Sequence, residues 1–167
     1  YGALGVSVAS AGDVNGDGLD DLIIGDYQGG DRAGTSFKSE GQTYIVYGVA
    51  NNTDGSSGFG ADIGVGDVTG ATGVSLKPVG VGAKSGFDVA SIGDFNGDGI
   101  DDVVISGYYK TQNYSREGGA YIVFGTETGF DAQVDLEALD GTNGFEFTAV
   151  NNIHERVGYS VSSAGDI

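Results

Sequence analysis

A chain of 167 residues with 39% hydrophobic content is long enough to bury a core of its own. Its formal charge of −17, from 24 acidic against 7 basic side chains, excludes nucleic acid and anionic lipid as partners, since phosphate contacts need clustered Lys and Arg. No run approaches the length of an apolar membrane span, and zero cysteine removes disulfides and thiolate chemistry.

In chain order, the first element is Val6-Ser7-Val8-Ala9-Ser10, a run of strand length bounded by glycines and designated strand A. An acidic stretch follows, Asp13-Val14-Asn15-Gly16-Asp17-Gly18-Leu19-Asp20-Asp21, and behind it Leu22-Ile23-Ile24 predicts strand B. Tyr44-Ile45-Val46-Tyr47-Gly48 predicts strand C, and the weaker Val74-Ser75-Leu76-Lys77-Pro78-Val79 predicts strand D. Pro78 suits an edge position, where a missing donor does least harm.

The same order then starts again. Phe87-Asp88-Val89-Ala90-Ser91-Ile92 leads into Asp94-Phe95-Asn96-Gly97-Asp98-Gly99-Ile100-Asp101-Asp102, then Val103-Val104-Ile105, Tyr121-Ile122-Val123-Phe124-Gly125 and Gly144-Phe145-Glu146-Phe147-Thr148-Ala149-Val150. It starts a third time at Gly158-Tyr159-Ser160-Val161. The self-similarity divides the chain into a first repeat over 1–82, a second over 83–155, and the first strand of a third over 156–167. The expected architecture is all-β, made of four-stranded antiparallel blades of the β-propeller type.

The acidic stretches carry the chemistry. Each places oxygen-bearing side chains at its first, third, fifth and ninth positions, with glycine at the sixth. Ca²⁺ takes six to eight oxygens, and a tight loop delivers them from alternate residues around a glycine turn. Asp-Gly strings are also ordinary turn signals, but four aspartates in nine residues repel one another unless a cation compensates them. An EF-hand would continue to a bidentate Glu at the twelfth position; here that position is Ile24 or Ile105, and strands rather than helices flank the loop. Two calcium sites are expected, one from Asp13, Asn15, Asp17, the Leu19 carbonyl and Asp21, the other from Asp94, Asn96, Asp98, the Ile100 carbonyl and Asp102. Asp20 and Asp101 fall between ligands and are read as supporting them or facing solvent.

These residues resemble the FG-GAP repeat, the blade of the integrin α-chain β-propeller and of many secreted bacterial proteins. The Phe-Gly half is kept loosely as Gly86-Phe87 and Gly158-Tyr159, while Gly25-Asp26-Tyr27 and Gly107-Tyr108-Tyr109 replace the Gly-Ala-Pro half. The resemblance implies a calcium loop between the first two strands of each blade, on the same ligands. It also implies a ring of more blades than this chain holds. The sequence starts and stops at one phase of the repeat and has no methionine, which suggests a window on a longer polypeptide or a unit completed by neighbouring copies.

The single histidine, His154, stands beside Glu155 and Arg156 without a second histidine, a cysteine or a Gly-x-Ser-x-Gly elbow, so no catalytic set assembles and the chain is read as not an enzyme. Tyr108 to Arg116 combines three tyrosines with two cations in a B–C loop, a composition found at contact surfaces for protein or glycan and also in solvated loops. Asn51-Asn52-Thr53 and Asn113-Tyr114-Ser115 are glycosylation sequons, relevant only in a host that uses them. The expected protein is a calcium-binding, non-catalytic extracellular module of a bacterial or archaeal surface protein or filament, partnered by its own copies or further blades. An accessory propeller of a secreted enzyme and an integrin-like receptor headpiece are the alternatives. Extracellular placement follows from the metal, because only outside the cell is calcium abundant enough for a weak site.

Overall fold

The structure, a computed structural model, describes residues 3–29, 40–77, 82–112, 115–148 and 156–165, and the side chains of 110–117 lie outside that description. The described elements are strands and two short 3₁₀ turns. The strands are β1 (Leu4–Gly12), β2 (Asp21–Asp26), β3 (Gln42–Val46), β4 (Gly73–Lys77), β5 (Val89–Gly93), β6 (Asp102–Gln112), β7 (Ser115–Val123), β8 (Gln133–Asp135) and β9 (Gly144–Thr148). Each run predicted as strand A, B, C or D within 1–155 falls on one of these, because alternation of apolar side chains lets one backbone serve two packed faces.

The strands form two sheets. The first has the order β1-β2-β3-β4-β8 and the second β5-β6-β7-β9. Pairing is antiparallel except at β8, which runs parallel to β4 from Ser75↔Gln133 to Lys77↔Asp135. The first sheet therefore has five strands where four are expected, and its fifth comes from the 83–155 stretch. This also removes the edge position expected for strand D; Pro78 itself lies outside the described residues. A second departure concerns Tyr108–Arg116. Residues 113 and 114 lie outside the described residues; on either side of them the backbone is strand rather than loop, since β6 and β7 continue through Lys110↔Glu117 to Gln112↔Ser115 after a bulge beyond Gly107. Residues 156–165, expected as the opening strand of a third repeat, are in no strand. They lie instead against β5, where the Ser160 hydroxyl and the Val161 amide both donate to Asp88, at 3.0 and 2.9 Å.

One face of each sheet meets the other. Ile23, Ile45, Val74 and Leu76 of the first pack with Val103, Ile105, Tyr121 and Val123 of the second in a single cluster. Fully burying a side chain of this size contributes about 1.5–3 kcal/mol, so this contact holds the two sheets together. A smaller cluster, Val104, Ala120 and Ile122, lies on the far face of the second sheet under Phe145 and Val161. Two tyrosines join the main cluster: the Tyr121 hydroxyl donates to Glu146 Oε1 at 2.8 Å, and the Tyr47 hydroxyl accepts the Phe130 amide at 3.2 Å. At one end of the strands the sheets carry the two acidic loops, 13–21 and 94–102.

Candidate metal centre

Each acidic loop is built on its first aspartate. In the first loop Asp13 accepts the Asp17 and Gly18 amides at 3.0 and 2.8 Å. In the second, Asp94 accepts those of Gly97, Asp98 and Gly99 at 2.8–2.9 Å. The third and fifth positions repeat the device one step on: Asn15 accepts from Asp17, and Asp17 from Leu19, as Asn96 does from Asp98 and Asp98 from Ile100. Asn15 also donates through Nδ2 to Asp17, at 3.0 Å, as Asn96 does to Asp98 at 2.8 Å. The sixth-position glycines are what this winding requires, with Gly18 and Gly99 at φ 86° and 93°, a region closed to most side chains. The two loops are thus the same object made twice.

The ninth aspartate points the other way, into the fold. Asp21 is buried; its carboxylate accepts the Val14 amide at 3.0 Å and the Gly48 amide at 2.8 Å. Asp102 is buried in the same manner and accepts from Phe95, Asn96 and Gly125, at 2.9, 3.2 and 2.8 Å. Each of these carboxylates ties its loop to the end of strand C. This explains the glycine that closes both Tyr-Ile-Val-aromatic-Gly elements: a Cβ on Gly48 would lie 2.6 Å from the Asp20 carbonyl, and one on Gly125 would lie 2.4 Å from that of Asp101. Burial pushes the Asp21 carboxyl up to about 6; the amides of Gly48 and Val14 oppose this, and Asp17 and Asp13 add to it. Asp102 is raised for the same leading reason, with its three amide donors opposing.

Asp101 does something the sequence reading did not separate from mere exposure. Its carboxylate accepts the Asp13 amide of the other loop at 2.9 Å, and its own amide donates to the Asp13 carbonyl at 3.2 Å. The two loops are therefore joined directly. Gly12 makes room for this, because a Cβ there would lie 2.1 Å from the Asp101 carboxylate. No spacing rule points to such a link; only the recurrence of Gly-Asp before each loop hints at it.

The fit of these residues to a metal has two sides. Asp13, Asn15, Asp17, the Leu19 carbonyl and Asp21, with their counterparts Asp94, Asn96, Asp98, the Ile100 carbonyl and Asp102, form an all-oxygen set of the type hard cations take. An ionised carboxylate has about four lone-pair sites, so the amide bonds leave acceptor capacity on every one of them. As placed, however, these side chains are engaged by the loop's own amides. Among the described residues no three Asp, Glu or His side chains gather in a metal-holding arrangement. Of the remaining candidates, His154 and Glu155 lie outside the described residues, as does Asn113, while Asn51 is exposed and outside the strands.

Residues 4–46 match the family model of the FG-GAP repeat. The match spans β1, the first acidic loop, β2 and β3, so this part of the chain is an FG-GAP repeat. No curated protein matches the chain significantly. No described helix is long and apolar enough to cross a membrane.

Proposed function

We propose that the chain is a calcium-stabilised, non-catalytic module of an extracellular or surface protein, serving adhesion or filament structure. One observation carries this reading. Both loops fold into the same nested turn, with oxygen-bearing side chains at the first, third and fifth positions and a ninth aspartate anchored to the sheet. The first site would be held by Asp13, Asn15, Asp17, the Leu19 carbonyl and Asp21, the second by Asp94, Asn96, Asp98, the Ile100 carbonyl and Asp102. A bound ion supplies positive charge to carboxylates that otherwise repel one another. The chain's own part is to hold those oxygens close together on a short loop and to keep the ninth carboxylate dry.

The role is then mechanical. A ligand that binds the folded loops and not the unfolded chain stabilises the fold by RT ln(1 + [Ca²⁺]/Kd), about 2.7 kcal/mol per site at a hundredfold excess over Kd. Calorimetric melting of the chain in millimolar Ca²⁺ and again in excess chelator tests this. A melting temperature several degrees higher with calcium is expected, and superimposable curves would refute the proposal.

A further inference from the structure

The two acidic loops touch through the residues named as their candidate ligands. Asp13 opens the first loop, and Asp101 takes both polar groups of its backbone: the carboxylate accepts the Asp13 amide at 2.9 Å, and the Asp101 amide donates to the Asp13 carbonyl at 3.2 Å. Asp101 itself stands between two candidate ligands of the second loop, the Ile100 carbonyl and Asp102. That carbonyl and the Asp101 amide are the two ends of one peptide group. A peptide polarised at its oxygen by a cation is a stronger donor at its N–H, as linked hydrogen bonds polarise one another.

A second path runs beside the first. Asp102, ninth in its loop, accepts the Gly125 amide at 2.8 Å. The next amide, of Thr126, donates to the Val14 carbonyl at 3.0 Å. The Val14 amide in turn donates to Asp21, ninth in the first loop, at 3.0 Å. Val14, Asp21 and Asp102 are buried, so water does not interrupt the path. It is also tightly packed, since a Cβ on Gly125 would lie 2.4 Å from the Asp101 carbonyl oxygen and 3.0 Å from that of Val14. Close-packed contacts of this kind transmit strain instead of absorbing it.

We infer that the two calcium sites are coupled, with Asp101 as the positioning residue through which an ion in either loop raises the affinity of the other. The inference rests on the calcium reading proposed above and adds its regulation. Ordering of 94–102 fixes the Asp101 carboxylate and amide, and these fix the Asp13 backbone. The first loop then has less conformational entropy to lose when it binds, and linkage makes the effect reciprocal. Charge works against this, because a cation in one loop weakens the negative potential at the other. That opposing effect is screened over about 8 Å at about 0.15 M salt, whereas the buried hydrogen bonds are not. Both loops therefore fill over one narrow range of calcium concentration.

The test is isothermal titration with Ca²⁺ at about 0.15 M salt. It compares the wild-type chain with Asp17→Ala, which keeps the second site, and Asp98→Ala, which keeps the first. Each single-site variant binds one ion. The product of the two wild-type stepwise association constants exceeds the product of the single-site constants by about fivefold or more. Repeated in the Asp101→Ala background, the comparison gives an excess of about twofold or less. Asp101→Asn, whose side-chain carbonyl still accepts the Asp13 amide, keeps the wild-type excess. A merely structural role for Asp101 would lower the melting temperature of Asp101→Ala and leave the excess as it was. Equal products in the wild-type comparison would overturn the inference and leave the calcium reading standing, and that comparison needs no Asp101 variant to fold. An excess as large in Asp101→Ala as in wild type would overturn it too. A wild-type chain that binds no ion would refute the calcium reading, and the coupling with it.

Discussion

The two buried aspartates bolt their loops to the sheet, and on the proposed function each is also a candidate cation ligand. Asp21 accepts two amides and is shielded from water, which disfavours its charge and lifts its carboxyl to about 6, well above the ordinary carboxylate value. A group whose folded value is raised binds its proton more tightly in the folded state. Its contribution to stability is complete below the unfolded value near pH 4 and is lost as pH rises through about 6. In chelator, then, acidification from about pH 7.5 to about pH 5 stabilises the wild-type protein through Asp21. The Asp21→Asn variant lacks that increment, so the difference in melting temperature between the two pH values is larger for wild type. Equal differences in the two proteins would show that Asp21 is not the titrating group. If the first loop holds calcium as proposed, the ion requires the ionised carboxylate, and the expected outcome is an affinity that falls over the same pH range.

At the level of elements, legibility followed the range of the interaction that makes each one. Strands A to D of both repeats and both acidic loops could be read because their signals are local: β-branched alternation, an Asp-x-Asn-Gly-Asp-Gly turn, and a terminal glycine. The strand β8 was illegible. It has three residues, Gln133–Asp135, and exists only because β4 offers an unpaired edge beside it. The Tyr108–Arg116 stretch was misread as a loop because its polar, aromatic composition resembles one, while its pairing depends on the partner strand across the hairpin. The 3₁₀ turn Leu136–Ala138 that follows β8 was equally hidden, although it inserts a buried Leu136 into the main cluster. The Asp135 carboxylate starts that turn by accepting the Glu137 amide at 3.0 Å. Leu136→Ala leaves a cavity under a strand that few bonds hold in place, and a loss of about 2–5 kcal/mol is expected by denaturant titration. A loss well under 1 kcal/mol would mean that β8 is an ornament on the first sheet and not part of its core.

Across the whole molecule the two sheets are tied at both ends as well as through the middle. Asp101 and Asp13 join the acidic loops. At the opposite strand ends Phe87 meets the rings of Tyr27, Tyr108 and Tyr159 at centroid distances of 5.5, 4.5 and 5.3 Å, gathering aromatic residues from beside both sheets and from the 156–165 segment. Lys84 Nζ lies 5.8, 5.5 and 5.0 Å from the ring centroids of Tyr27, Tyr108 and Tyr109, which adds cation–π attraction to that end. Repeat arrays commonly unfold as a sum of units and nearest-neighbour contacts, and whether they do so in one step depends on how strong the contacts are. Here the main cluster draws residues from both sheets, and neither sheet buries that face without the other. Thus the two sheets are one cooperative unit. Val103→Ala, at a fully buried position of β6, is the discriminating change. Native-state hydrogen exchange should show amide protection in β2 and β3 falling by the same factor as in β6 and β7, because the slowest amides of both sheets exchange only through global opening. Protection lost in the second sheet alone would show that each repeat stands by itself, with the contact between them adding little to the stability of either.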